Sequence, residues 1–167
     1  MYSSSGDIVA LATVVGKSAL NVVRVSGPQC KSFFQNLSNT KVSPKPNHVY
    51  LKYIYSGQEK NPFDFASLVY YEAPKSFTGE DSLEVSVHGG VIIANKLIET
   101  LIMLGARQAK PGEFSYRAFT NNKIDLLQAE AISSIVEANN SIDSYYLLNN
   151  IKGVLSGVLQ KNRKKIT

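Results

Sequence analysis

Along the first 90 residues, apolar and polar positions alternate in short runs; after that, apolar residues recur at three- and four-residue spacing. Ile8 to Val15 is almost continuously apolar and predicts a buried strand, and Leu20 to Val25 predicts a second with Arg24 embedded in it. Ser26-Gly27-Pro28 reads as a helix start. Cys30, Phe33, Phe34 and Leu37 follow at i, i+3, i+4 and i+7, which gives that helix one apolar stripe. Ser38 to Asn47, with two prolines, is a loop. His48 to Tyr55 and Phe63 to Tyr71 predict two more strands, joined by a loose hairpin link.

The stretch Ser76 to Gly90 is where the pattern is sharpest. A polar turn runs into a strand with Leu83, Val85 and Val87 on one face and Glu84, Ser86 and His88 on the other. The pair Gly89-Gly90 then opens a helix, Val91 to Leu104, with Ile92, Ile93, Leu97, Leu101 and Leu104 at helical spacing and Gly105 at the capping position. A glycine pair before a helix leaves room for a ligand at the first-turn N–H groups, although a plain strand–turn–helix connection uses the same residues. His88 reads as a structural or turn-bonding histidine. Past Lys110-Pro111-Gly112, a short helix is expected over Glu113 to Phe119, with Phe114, Ala118 and Phe119 inward. Asp125 and Gln128 have the spacing of a capping box, which starts a helix to about Ala138. A last helix is expected from Ser141 to Lys165, with Leu148, Ile151, Leu155 and Val158 as its seam. Gly153 and Gly157 would each cost it about 1 kcal/mol. No cap closes it, so the chain reads as the front part of a longer polypeptide. The organisation is α+β, a mixed β-sheet with helices, over residues 1–120, and the start of a helical domain over 121–167.

Composition narrows the chemistry. Of 167 residues, 44% are hydrophobic and 19% charged, which permits a packed core. The net charge of +5 allows an anionic partner, but the terminal run Lys161, Arg163, Lys164 and Lys165 supplies part of it. A single cysteine, Cys30, excludes an internal disulfide, and two histidines, His48 and His88, give poor support to a zinc site. No residue is assigned to a metal. No apolar run is long enough for a bilayer, and Met1 to Gly6 lacks the pattern of a signal peptide, so the cytoplasm is the expected location.

Two fragments imitate a nucleotide site. Gly16-Lys17-Ser18 resembles the end of a P-loop, but Leu11 stands where the loop's first glycine belongs. Asn122-Lys123-Ile124-Asp125 matches the guanine-reading N-K-x-D pattern, yet no apolar strand precedes it and no D-x-x-G exists in the chain. Asp125 is better explained as a helix cap.

Longer motifs carry more weight. Ala73-Pro74-Lys75-Ser76-Phe77-Thr78-Gly79-Glu80-Asp81, Leu83-Glu84, His88-Gly89-Gly90, Lys110-Pro111-Gly112-Glu113-Phe114-Ser115 and Asn122-Lys123-Ile124-Asp125-Leu126 come in order, with Asp7 to Thr13 and Arg24 to Pro28 before them. Together they resemble the N-terminal domain of the TrmE-type (MnmE) tRNA-modification GTPases over nearly the whole chain. The resemblance implies a fold like the folate-binding domain of glycine-cleavage aminomethyltransferases. It also implies homodimerisation and binding of a one-carbon tetrahydrofolate such as the 5-formyl form. The parent would work with a GidA/MnmG-type flavoprotein on the wobble uridine of tRNA, with GTP, potassium and magnesium confined to a G domain beyond Thr167. Three family folate contacts fall on Arg24, Glu84 and Lys123. A carboxylate suits the paired N–H donors of a pterin, and a cation suits the benzoyl-glutamate tail. Where the family has a proline- and glycine-rich loop after the first strand, this chain keeps only Gly16 in Thr13 to Asn21, so Ser18 and Ala19 narrow access there. No nucleophile or acid–base pair stands out, so no catalytic residue is assigned. Two rival readings are a stand-alone folate-dependent aminomethyl- or methyltransferase-like domain and a ligand-free dimerisation module.

Overall fold

The computed structural model describes residues 6–57, 59–137 and 147–153. It divides the chain into two compact units, Met1–Pro111 and Gly112–Thr167.

The first unit is an α+β fold built on one mixed sheet. In chain order its elements are β1 (Ile8–Leu11), β2 (Leu20–Ser26), α1 (Cys30–Leu37), β3 (Val49–Ile54), β4 (Asp64–Tyr71), β5 (Ser82–His88), α2 (Val91–Met103) and β6 (Arg107–Gln108). The six strands lie in the order β3-β4-β5-β2-β1-β6. Every pairing is antiparallel except β1 with β6. Alternation decides which way each strand faces. Val23 and Val25 of β2, Leu68 and Tyr70 of β4, and Leu83, Val85 and Val87 of β5 are all fully buried. They meet Phe33, Phe34 and Leu37 of α1 and Leu97 and Leu101 of α2 in one core, so both helices lie on the same face of the sheet. The stripe predicted for α1 is the one observed, with Cys30, Phe33, Phe34 and Leu37 buried.

Two expectations fail at element ends. Only Ile8–Leu11 of the predicted run to Val15 is strand. Val14 and Val15 are 88% and 70% exposed, because the chain leaves the ladder after the Ala12 N–H meets the Val22 carbonyl. In α2, Ile92 is 84% exposed rather than buried. It lies on the opposite side of the helix from Ala94, Leu97 and Leu101, which with Thr100 form the buried face, whereas its neighbour Ile93 packs against the core. Gly105 follows the helix with φ 112° and gives its N–H to Ile102, as a capping glycine does.

The second unit holds α3 (Glu113–Thr120) and α4 (Leu126–Glu137), and residues 147–151 are also helical. The face expected for α3 is corrected. Ala118 is buried, but Phe119 is exposed and Phe114 only half-buried; Glu113 and Arg117 take the inner positions. Spaced i and i+4, these two approach as an ion pair at 3.7 Å, which makes their burial tolerable. The capping box is present in full: the Gln128 N–H donates to Asp125 Oδ1 and the Asp125 N–H to Gln128 Oε1, each at 2.9 Å. This answers the N-K-x-D question, since Asp125 spends its carboxylate on the start of α4. The expected helix Ser141 to Lys165 lies mostly outside the described residues, as do Leu155, Gly157 and Val158. Within them, Gly153 is not a helix-interior residue: it has φ 75° and forms a turn.

Candidate functional site

The face of the sheet opposite α1 and α2 brings Arg24 and Glu84 together. Core packing decides this. With Val23 and Val25 of β2 held inward beside Val85 and Leu83 of β5, the intervening Arg24 must face outward directly across from Glu84. Arg24 Nε and Nη2 both donate to Glu84 Oε1, at 2.9 and 2.8 Å. The pair is about one-third exposed on the arginine side and a quarter on the carboxylate side (34% and 27%). The guanidinium therefore forks onto one oxygen and leaves the other, Oε2, to a different partner. That partner is Tyr71, whose hydroxyl donates to Oε2 at 3.3 Å. Phe77 lies over the guanidinium with 5.8 Å from Arg24 Cζ to the ring centroid, within cation–π range. Burial first, and then the Glu84 carboxylate, push the Tyr71 phenol above its ordinary value of 10.0.

Neither Tyr71 nor Phe77 was singled out by the sequence, though the signal for Tyr71 existed. Alternation along β4 places Phe65, Ser67, Val69 and Tyr71 on the face opposite Leu68 and Tyr70. Register then puts Val69 across from Glu84 and Tyr71 two rungs further on, across from Ser82. A ring at that diagonal reaches the carboxylate.

The other acidic residues of the Ser76–Asp81 turn build structure. Asp81 accepts from the Tyr70 hydroxyl at 2.7 Å and the Ala73 N–H at 2.9 Å. Its carbonyl takes the Gly27 N–H. Glu80 Oε2 accepts from Ser26 Oγ at 2.8 Å, and Ser26 in turn meets the buried Thr78 at 2.7 Å. His88 is a clip between strands: its N–H and Nδ1 both engage the Asp64 carboxylate, at 2.8 and 2.6 Å. The room that Gly89 leaves is filled from within. Its N–H meets the Ala19 carbonyl at 2.9 Å, and a Cβ there would lie 1.5 Å from the Ser18 carbonyl oxygen. The glycine is required by the chain's own loop.

Lys123 belongs to the second unit. It is exposed, follows Asn122 in a left-handed conformation (φ 56°), and donates its N–H to the Ala118 carbonyl. An open cavity of about 480 Å³ is bounded there by Phe119, Lys123, Asp125 and Gln128 among others. Among the described residues, no group of histidine, cysteine and carboxylate side chains could hold a metal ion, and no helix is long and apolar enough to cross a membrane.

The first unit is thus an α+β sheet with an ion pair on the face opposite its two helices, and the second a helical unit opened by a capping box. The family model described as GTP-binding protein TrmE N-terminus matches residues 7–123, and the chain belongs to that family. The tRNA modification GTPase MnmE of a Nitratiruptor species is 44% identical over 153 residues, covering 91% of this chain and 34% of that protein. The protein of the same name from a Sulfurovum species is 40% identical over 156 residues, 93% of this chain and 34% of its own. That of Vesicomyosocius okutanii subsp. Calyptogena okutanii is 40% identical over 166 residues, 99% and 36%. The chain thus spans about a third of the length of the curated relatives it matches.

Proposed function

We propose that this chain is the folate-binding and dimerisation part of a cytoplasmic tRNA-modification GTPase. In this reading, residues 1–120 bind a one-carbon tetrahydrofolate such as 5-formyltetrahydrofolate on a fold like that of the glycine-cleavage aminomethyltransferases. Residues 121–167 begin a helical domain. The observation that carries the reading is the Arg24–Glu84 pair, with Phe77 above it, on the face of the sheet opposite α1 and α2 in a member of this family.

The donor set fits the ligand's chemistry. Glu84 Oε1 takes two N–H groups from Arg24, so Oε2 is the oxygen that accepts an N–H from a pterin edge. The Phe77 ring, 39% exposed, offers a flat apolar contact. Lys123, in the second unit, is proposed as a further contact on the strength of the family resemblance, its cation being of the kind that suits a carboxylate. When bound, the folate supplies the one-carbon unit; this chain's residues hold and orient it and perform no turnover. GTP hydrolysis, with its potassium and magnesium, is assigned to a G domain and not to residues 1–167. The modified base is the wobble uridine of tRNA, and the partner is a GidA/MnmG-type flavoprotein. Support for a homodimer comes from the edge of the sheet, where Val49, Leu51 and Tyr53 of β3 and Phe65 of β4 are 63%, 64%, 58% and 44% exposed.

Calorimetric titration of 5-formyltetrahydrofolate against the chain and against Glu84→Ala tests the site. Heat of binding is expected for the first and lost in the second. Equal heats for both would sink the assignment.

A further inference from the structure

The two oxygens of Glu84 are not equivalent. Oε1 receives two charged N–H donors, which occupies both of its lone pairs. Oε2 receives the Tyr71 hydroxyl at 3.3 Å, longer than the roughly 2.5–3.0 Å of an ordinary O–H···O bond. The carboxylate is therefore anchored firmly on one side and loosely on the other. Tyr71 is well placed for a loose hold. It is the last residue of β4, fixed by its rung with Ser82, and its ring lies on the face opposite Leu68 and Tyr70. Its phenol keeps its proton, since burial and the neighbouring carboxylate both oppose ionisation. It is thus a constant, neutral donor whose bond breaks at small cost.

We infer that Tyr71 is an exchangeable partner of Glu84: its hydroxyl holds Oε2 until an N–H donor of a bound heterocycle replaces it, so Tyr71 sets the affinity of the site without touching the ligand's one-carbon group. The inference rests on the reading of Glu84 as the folate acceptor and goes beyond it in naming the group that the ligand must displace.

The test is calorimetric titration of 5-formyltetrahydrofolate into the full 167-residue chain as wild type, Tyr71→Phe and Glu84→Ala, with melting curves to establish that each is folded. Tyr71→Phe keeps the ring and removes only the competing hydroxyl. It is expected to bind about two- to fivefold tighter, the equivalent of one weak net hydrogen bond, while Glu84→Ala loses binding. A gain in affinity is not what loss of structure produces. Equal or weaker binding by Tyr71→Phe, with loss in Glu84→Ala, would overturn the role of Tyr71 and leave the folate reading standing. No binding by any of the three, or undiminished binding by Glu84→Ala, would overturn the folate reading and the Tyr71 role with it.

Discussion

Replacing Gly89 by alanine puts a methyl group where the loop between β1 and β2 already has backbone. The added Cβ would sit 1.5 Å from the Ser18 carbonyl oxygen, 2.3 Å from its carbon and 3.0 Å from the Ala19 carbonyl carbon. To restore an ordinary contact at 3.4 Å, the loop must retreat by about 2 Å. Retreat breaks the bond from the Gly89 N–H to Ala19 and strains the one from Asn21 Nδ2 to the Gly90 carbonyl, now 2.9 and 3.0 Å. The loop is exposed and yields without disturbing the core, so the loss is set by these two bonds, about 1 kcal/mol each. A penalty of about 2 kcal/mol lowers the melting temperature of a unit this size by roughly 8 °C. Thermal unfolding followed by circular dichroism measures it directly. Ser18→Gly in the same background should not rescue stability, because the clash is with backbone. A Gly89→Ala protein melting within about 2 °C of wild type would refute the argument.

Other outcomes follow from single features. Asp125→Ala removes half of the capping box that opens α4 and should cost about 1 kcal/mol, read as a lower urea midpoint; an unchanged midpoint would contradict the cap. The buried Cys30 thiol, held above its ordinary pKa of 9.0 by burial and then by Asp7, should resist a disulfide reagent in the native protein and react in denaturant. Rapid native labelling would contradict the burial. Tyr70 is likewise pushed above 10.0, by burial and then by its bond to Asp81. Both groups keep their protons longer when folded, so their contribution is complete below about pH 9 and is lost as pH rises through the unfolded values toward the folded ones. The urea midpoint should therefore fall from about pH 9 to about pH 11, less steeply in Tyr70→Phe; a flat profile would count against this.

Local patterns with one physical cause were legible in the residues. The α1 stripe, the alternation of β5 and the Asp125–Gln128 cap each depend on neighbours close in sequence, and each is found as read. What was not legible depends on distant partners. Burial of Glu113 and Arg117 runs against the habit of charged residues, and their approach to each other helps to explain it. Val14 and Val15 are apolar yet exposed, because the chain gives up the ladder to bring Ser18 and Ala19 against Gly89. Among Glu80, Asp81 and Glu84, residue type says nothing about role. The first two turn into the Ser26–Thr78 and Tyr70–Ala73 networks, and only the third faces the open side.

The geometry of the Arg24–Glu84 pair is a consequence of the core beneath it. In this sheet, β2 and β5 are matched over seven consecutive rungs, Leu20↔His88 to Ser26↔Ser82, and every second residue is buried against α1 or α2. A shift of one residue would carry either Val23 and Val25 to the other face with Arg24 driven into the core, or Leu83 and Val85 with Glu84, so the register has no nearby alternative. The pair can therefore exchange partners on its outer side, at Oε2, while its spacing stays fixed from below. In the proposed reading, that division lets a half-buried ion pair, a weak contributor to stability in itself, serve as a fixture for a ligand: its position is held by apolar burial, and its second oxygen can change partners.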